Sequence, residues 1–386
     1  MMDRFDVVVV GGGVIGLKIS EELLRLGLAT CLIERHRCHE LTSANSHRII
    51  HGGLRYLQSL DFPRTLRSIQ SLNSVLEEYP DCVEPLECAL VLSGQGLKRP
   101  SVMRVAGLLY GMCVAAVSRA HLPSSVQTGH RVFGGSDIFR NFSRSPVFVW
   151  HDGLLKDPKR LALSLRESIV GLEGQILEHS EVTSVVKDPD GFMIRIRDQE
   201  SVEVRSRAVV LALGPKFGTI PVSGVFEQEN WAGRRTSPLE WAGAFNLVLK
   251  RDYCDGCAIG IPGENKRMLF FSPREQGTSA VGTWYYPIKQ DAEAKLPDIG
   301  SSIVESALNE INCALGIPQA LTQTDVIAVE WGILPMTGLV DGEPQLYGSD
   351  CVYQEEGLVE VLSTKYTVFP LLGRSIAQRI VEYLSE

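Results

Sequence analysis

A glycine-rich loop directly behind the first apolar run constrains the fold more than any other feature of this chain. Residues 5–10 are nearly all apolar and rich in β-branched side chains, which is typical of a central parallel strand. Residues 11–16 then read G-G-G-V-I-G and fit the pattern G-x-G-x-x-G. Apolar residues at helical spacing follow over 14–26, and residues 30–33 predict a second strand. The N-terminus therefore predicts a β-α-β unit.

The loop has the composition needed to hold an anionic dinucleotide. Gly11 permits a tight turn, Gly13 allows close approach of a pyrophosphate, and Gly16 allows close helix–strand packing. The N–H groups at the start of the helix, around Val14 and Ile15, add a positive dipole end. Glu34 closes the second strand, where a carboxylate can accept hydrogen bonds from ribose hydroxyls. These residues do not separate FAD from NAD, and a glycine turn beside an unrelated surface glutamate is the alternative.

Composition narrows the class of protein. The 386 residues suggest two domains, and the net charge of −8 argues against nucleic-acid binding. Nine scattered cysteines favour free thiols in a reducing cytoplasm over a disulfide framework. The first residues lack the apolar core of a secretory signal.

Hydrophobic periodicity predicts most of the remaining elements. Amphipathic helices are predicted around residues 66–79, 161–172, 304–315 and 370–384, and a small antiparallel meander over 176–210. The apolar stretch 102–117 is shorter than the roughly 20 residues that cross a bilayer. We expect it to pack in the core, with a helix on a membrane surface as the alternative.

Residues 42–57 carry a resemblance to a known family. They read T-S-A-N-S-H-R-I-I-H-G-G-L-R-Y-L and resemble the serine-rich loop and I-H-G-G-x-R-Y-L segment of FAD-dependent glycerol-3-phosphate dehydrogenases, in the D-amino-acid-oxidase (DAO) flavoprotein family. Segments 157–161, 209–215, 280–283 and 363–367 are similar to further family segments in the same order. The resemblance covers nearly the whole chain, although only 42–57 and the Lys365 segment are individually specific.

The resemblance implies an α/β fold in which a Rossmann-like FAD-binding domain of the DAO/glutathione-reductase-2 type interleaves with a mixed-β-sheet substrate domain. The FAD-binding domain is expected from residues 1–80, 151–220 and 326–386, and the substrate domain from 81–150 and 221–325. FAD is the implied cofactor. Its expected binding residues are Gly11, Gly13, Val14, Ile15, Gly16, Glu34, Arg35, Thr42, Ser43, Ser46, His51, Gly52, Gly53, Ala212, Gly214, Lys365, Tyr366 and Thr367.

Four residues are expected to carry the chemistry. His51 can accept a substrate proton near neutral pH, although a packed structural histidine is an equal alternative. The resemblance implies that Arg55 and Tyr56 grip the anionic end of the substrate, for which a guanidinium offers a planar fork. Lys365 is expected to place positive charge near the flavin. Covalent attachment of flavin through histidine is the less favoured arrangement.

Two features depart from the family pattern or stand outside it. The family's S-G-x-R-P segment carries an arginine that holds phosphate, whereas Leu334 occupies that position here. Glycerol 3-phosphate itself is therefore a doubtful substrate. Cys254 and Cys257 have C-x-x-C spacing, but no second pair accompanies them, so we expect ordinary loop thiols and no metal.

The sequence thus favours an FAD-dependent dehydrogenase or oxidase that removes hydride from the C–OH carbon of a small, anionic substrate related to glycerol 3-phosphate. An amine or amino-acid oxidase of the same clan and a non-catalytic flavin-binding assembly protein are the alternatives. The expected partners are the substrate and an electron acceptor, quinone or oxygen, without nucleic acid. A cytoplasmic location is expected, with peripheral contact to the inner face of the membrane left open, as is the oligomeric state.

Overall fold

The computed structural model describes residues 4–117, 124–133, 136–197, 202–224, 240–263, 267–288 and 298–386. These residues form two β-sheets with helices packed against them. The strands are β1 Arg4–Val10, β2 Thr30–Ile33, β3 Ile49–Ile50, β4 Val83–Val91, β5 Ser125–Thr128, β6 Pro146–Leu155, β7 Gln175–Leu177, β8 Glu181–Asp188, β9 Gly191–Arg197, β10 Val202–Leu211, β11 Val222–Gly224, β12 Glu240–Leu249, β13 Ala258–Pro262, β14 Met268–Arg274, β15 Thr278–Ile288, β16 Val326–Val340, β17 Glu343–Leu346, β18 Cys351–Glu355 and β19 Leu358–Leu362. The helices are α1 Val14–Arg25, α2 Phe62–Glu78, α3 Pro100–Val117, α4 Gly129–Phe133, α5 Pro158–Gly171, α6 Ser302–Leu315 and α7 Phe369–Ser385.

The first sheet is built around a parallel core in the order β7-β2-β1-β10-β19. Strand β1 is apolar on both faces because both faces are covered. Val7 and Val9 pack towards α1, α5 and α7, whereas Val8 and Val10 pack in a separate core with β8 and β9. The predicted β-α-β unit and the fold class are confirmed.

The predicted meander and four of the predicted helices are also confirmed. Strands β8, β9 and β10 form the predicted antiparallel meander. Helices α2, α5, α6 and α7 lie where periodicity predicted them. Gly316 ends α6 in the left-handed conformation, with a φ of 64°, which glycine adopts at little cost.

The second sheet runs in the order β17-β16-β12-β15-β14-β13-β4-β6-β3, with β5 paired to β6. Its membership differs from the predicted domain boundaries. Strands β16 and β17 were assigned to the FAD-binding segment 326–386, yet β16 pairs along its length with β12 in this sheet. Strands β3 and β6 also belong to it, so the chain crosses between the two sheets more often than the boundaries predicted.

Helix α3 was expected in the core, and this expectation is wrong. Met103, Gly107, Tyr110 and Cys113 are buried on one face, but the opposite face is open to solvent. Among the described residues, α3 is the helix long and apolar enough to cross a membrane by length and composition alone. Because its inner face packs on the protein, α3 is a half-exposed surface helix.

Cys254 and Cys257 lie in the connection between β12 and β13, and both are buried. Burial raises the pKa of the Cys257 thiol to about 12, which leaves it protonated and unreactive at neutral pH. Within the described residues, no group of three or more His, Cys, Asp or Glu side chains is arranged to hold a metal ion. Both thiols pack in the apolar core beside the second sheet.

Candidate functional site

The glycine loop is closed so tightly that two of its positions exclude any side chain. Gly11 has a φ of 107°, and a Cβ there would lie 2.4 Å from the carbonyl oxygen of Ala212. A Cβ on Gly16 would lie 1.9 Å from the carbonyl oxygen of Gly11. Helix α1 consequently starts directly against the ends of β1 and β10.

A cavity of about 370 Å³ opens at the carboxyl ends of β1, β2 and β10. Eight of the expected cofactor residues line it: Gly11, Gly13, Glu34, Arg35, Thr42, Ser43, Ala212 and Gly214. Three further cations that the sequence analysis did not single out also line it, namely Arg37, Arg197 and Lys216. Basic side chains dispersed along separate elements leave no local motif, which explains why they were missed.

Glu34 links the glycine loop to the segment that follows β2. Its Oε2 accepts a hydrogen bond of 2.6 Å from the Gly12 N–H, and its Oε1 accepts one of 2.9 Å from the His36 N–H. The Ser43 hydroxyl accepts from the Val14 N–H at 3.2 Å, at the first turn of α1. No acidic residue lies in that turn, so α1 itself carries no negative charge at the positive end of its dipole.

These features fit an extended dinucleotide. The helix terminus and the cations Arg35, Arg37 and Lys216 suit a pyrophosphate, whereas Arg197 is paired with Glu181. Each Glu34 oxygen retains a lone pair for a ribose hydroxyl. The Ser46 hydroxyl is buried without a hydrogen-bond partner among the described residues. A buried hydroxyl of this kind is stabilised when a bound group provides the missing partner.

A second group of polar residues surrounds His51. The register of β3 against β6 pairs Ile50 with Gly153, and this brings His51 beside Asp152. His51 Nδ1 lies 3.0 Å from Asp152 Oδ2, while Asp152 Oδ1 accepts a 2.8 Å hydrogen bond from the Gly52 N–H. The Thr367 hydroxyl accepts from the His51 N–H at 3.1 Å, which joins two predicted site segments.

The His51 pair has the exposure that proton transfer requires. The Asp152 side chain is 2% exposed, whereas the His51 side chain is 52% exposed. The carboxylate is thus fixed and dry while the imidazole can reach solvent or a ligand. Sequence reasoning missed Asp152, although an acidic residue within the apolar run 147–155 was a signal, since a buried charge needs a partner.

Three cations surround the ring of Tyr56. The Arg64 guanidinium carbon lies 4.3 Å, the Lys365 Nζ 4.9 Å and the Arg55 guanidinium carbon 5.1 Å from the ring centre. Burial raises the pKa of the Tyr56 hydroxyl, but the three cations outweigh burial and leave that pKa below its ordinary value. Arg64 and Lys365 also both donate to the carbonyl oxygen of Gly348. We call Arg55, Tyr56, Arg64 and Lys365 the cationic cluster.

A buried ion network lies next to the His51 loop. Glu330 bridges Arg48 at 2.9 Å and Arg274 at 3.3 Å. His47 Nδ1 lies 3.1 Å from the side-chain oxygen of Asn246. Burial, reinforced by the Arg274 charge, lowers the pKa of His47 to about 3, so this imidazole is neutral.

The remaining predicted residues are more dispersed. Tyr366 turns towards a buried histidine, and its hydroxyl lies 2.9 Å from His39 Nε2. Burial lowers the pKa of His39 to about 4. Ile15 is packed against the core of the first sheet. Leu334 lies on β16 opposite Ala242 and leaves its β16 position without a cation.

Comparison with known protein sequences adds two findings. A family model described as FAD dependent oxidoreductase (DAO) matches residues 6–379. The chain is 25% identical over 396 residues to the aerobic glycerol-3-phosphate dehydrogenase of Escherichia coli strain K12, covering 99% of this chain and 74% of that enzyme.

Solved structures share the fold. The glycerol-3-phosphate dehydrogenase of Bacillus halodurans, complexed with FAD, superposes with a TM-score of 0.70 at 17% identity and covers 99% of this chain. The chain spans 65% of the length of that enzyme. The L-alpha-glycerophosphate oxidase of Mycoplasma pneumoniae, with FAD bound, gives a TM-score of 0.73 at 14% identity, covering 100% of this chain and 96% of the oxidase.

Proposed function

The chain belongs to the DAO family of FAD-dependent oxidoreductases, and from that premise we propose that it oxidises the C–OH group of a small anionic alcohol related to glycerol 3-phosphate. The observation that carries the proposal is the exposed His51, held by buried Asp152, in the same segment as Arg55 of the cationic cluster. A proton acceptor and an anion anchor are the two groups that such an oxidation requires from the protein.

His51 takes the hydroxyl proton of the substrate at Nε2, because Nδ1 is engaged by Asp152. The Asp152 carboxylate holds the ring orientation and stabilises the positive charge that the imidazole acquires. FAD, when bound, supplies the acceptor for the hydride that leaves the carbon atom bearing this hydroxyl group. Gly11, Gly13, Glu34 and Ser43 are the residues we assign to its adenosine and pyrophosphate end.

The cationic cluster binds the anionic end of the substrate. Arg64, on α2, adds a positive charge that the resemblance did not predict, while Leu334 leaves β16 without one. A charge-assisted hydrogen bond contributes about 1.5–3 kcal/mol, so each arginine is worth roughly ten- to a hundredfold in affinity. The anion is therefore held from the α2 side of the site.

The two sheets support a two-domain division, which we propose with one changed boundary. Residues 326–346 go with the substrate domain because β16 and β17 pair in the second sheet. The last FAD-binding segment then starts near Cys351, at β18. We also propose a reducing cytoplasmic location, because nine cysteines scattered through a long chain are unlike a disulfide framework.

Anaerobic bleaching of the bound flavin tests the proposed function. Glycerol 3-phosphate, 2-hydroxy acids and uncharged glycerol are compared with glycine, proline and other amino acids. We expect the anionic alcohols to bleach the flavin and glycerol to do so poorly. Bleaching by amino acids alone would establish the second candidate, which the loss of the β16 cation at Leu334 favours, since an amino acid carries a carboxylate rather than a phosphate.

Arginine variants test the anchor. Arg55→Gln and Arg64→Gln should each raise the KM for the anionic substrate roughly ten- to a hundredfold and leave that for glycerol unchanged. Arg379→Gln, at an exposed position on α7, is the matched control. If both cluster variants keep the wild-type KM, the cluster does not bind substrate; if no compound bleaches bound flavin, turnover itself is refuted.

A further inference from the structure

Helix α3 presents an apolar face that no other described part of the chain covers. Val105, Leu108 and Met112 lie on one side at helical spacing and are 56%, 71% and 69% exposed. Val102, one turn before, is 37% exposed. Large apolar side chains in a contiguous row on a surface helix indicate a surface that another body covers.

The charged residues in the sequence segment that contains α3 are of one sign. The sequence from Cys88 to Ser136 contains no aspartate or glutamate, although the chain has 46 such residues among 386. The same 49 positions contain five lysines and arginines. Arg99 and Arg104, both exposed, lie at the start of α3 and make no ion pair with the described residues.

We propose that the outer face of α3, with Arg99 and Arg104 beside it, docks on an anionic lipid membrane. An apolar helical face with basic residues at its edge is the arrangement by which helices lie in a bilayer interface. Each cation near an anionic lipid surface strengthens binding by about fivefold. This inference is independent of the substrate that the enzyme oxidises.

A second copy of the chain fits this face less well. Pairing α3 with α3 would place Arg99 and Arg104 of both copies in one interface, and the acid-free segment offers no counter-charge there. Like charges placed together in an interface oppose association. A lipid surface with phosphate headgroups provides the counter-charge that a second copy lacks.

The docked orientation bears on the site. On the inner face of α3, the Tyr110 hydroxyl lies so close to Gly52 that a Cβ there would come within 2.1 Å of it. The membrane would therefore lie about one helix diameter, roughly 10 Å, from the His51 loop.

Vesicle flotation of the full-length flavoprotein tests the proposal. The vesicles are phosphatidylcholine alone, or phosphatidylcholine with one quarter phosphatidylglycerol. We expect wild-type protein to float with the anionic vesicles and to be released by raised salt, because salt screens the basic residues. Protein that stays unbound from anionic vesicles at low salt would overturn the proposal.

Variants separate the apolar from the electrostatic contribution. Leu108→Gln and Met112→Gln should each weaken vesicle binding about tenfold. Arg99→Gln and Arg104→Gln should each weaken it about fivefold on anionic vesicles only. The matched control is Leu163→Gln on α5, where a leucine is 55% exposed; it should bind like wild type.

Each variant is first checked for an unchanged flavin spectrum and melting temperature. Sedimentation without lipid provides the competing outcome. If wild type is a dimer that Leu108→Gln converts to a monomer, and the vesicles bind neither, then α3 is an interface between copies. Vesicle binding by Leu108→Gln and Met112→Gln equal to that of wild type would likewise refute lipid docking through this face.

Discussion

Replacing the buried carboxylate behind His51 is the sharpest perturbation of the proposed chemistry. Asp152→Asn keeps the size of the side chain and its hydrogen bond from the Gly52 N–H, which the amide oxygen can still accept. The amide nitrogen then faces His51 Nδ1 and donates to it. Nδ1 must accept, so the ring proton moves to Nε2, where the substrate proton should go.

The magnitude follows from the bond that is lost. A charge-assisted hydrogen bond is worth about 1.5–3 kcal/mol, which corresponds to roughly ten- to 150-fold in rate. Solvent screening reduces the expected loss of rate, because the His51 side chain is 52% exposed. The unfavourable tautomer of His51 increases the expected loss. We expect the flavin reduction rate to fall within that range, with KM nearly unchanged because Asp152 is not exposed to substrate.

Stopped-flow bleaching under anaerobic conditions measures this rate with the best substrate of the wild-type enzyme. His51→Gln should lose at least as much, and the double variant should be no slower than His51→Gln, since Asp152 acts through His51. Asp157→Asn is the matched control, because Asp157 caps α5 through the Lys159 N–H and asparagine caps helices equally well.

Two results would refute the reasoning. Reduction by Asp152→Asn within about threefold of wild type, alongside a large loss in His51→Gln, would show that the carboxylate only packs the loop. A double variant much slower than either single variant would show that Asp152 acts independently of His51.

Three further predictions concern the cofactor cavity and stability. Glu34→Gln should weaken FAD retention roughly ten- to a hundredfold, measured by flavin fluorescence on dilution, because it removes the charge from two hydrogen bonds to backbone N–H groups. Gly16→Ala should abolish stable FAD binding, as its methyl group would overlap the Gly11 carbonyl, whereas Gly171→Ala, with open space around its Cβ position, should bind FAD normally. Burial lowers the pKa of His39 to about 4 and that of His47 to about 3, so the unfolded state binds more protons than the folded state below pH 6.5. The free energy of unfolding should therefore fall by about 2 kcal/mol per histidine from pH 7 to pH 5. Urea unfolding of His39→Gln should show a smaller fall than that of the wild type.

The periodicity of apolar residues predicted those elements of the fold that short stretches of sequence determine. The β-α-β unit, the meander and four helices follow from periodicities that a few consecutive residues carry. Helix α3 was misjudged because hydropathy does not say which faces of an apolar helix are covered. The domain boundary at residue 326 is open for a related reason, since nothing within residues 326–340 indicates which sheet accepts β16.

The candidate site was predictable where its residues adjoin in sequence. Gly11, Gly13 and Glu34 line one cavity because the β-α-β unit itself brings them together. Asp152 lies 101 positions from His51, and only the pairing of β3 with β6 makes them neighbours. A pairing set by sheet register leaves no spacing rule to read in the sequence.

The charge at the proposed anion anchor likewise depends on contacts that the sequence does not reveal. By sequence position, Leu334 stands where the family pattern has a cation, and this substitution alone would weaken recognition of an anionic substrate. In three dimensions Arg64 stands on α2 within 4.3 Å of the Tyr56 ring centre, beside Arg55 and Lys365. The proposed anion anchor therefore has three cations, and the helix rather than the sheet supplies the third. Because a guanidinium binds an anion through distance and direction and not through its place in the chain, the substrate should differ from glycerol 3-phosphate in where its anionic group lies, and not in having one.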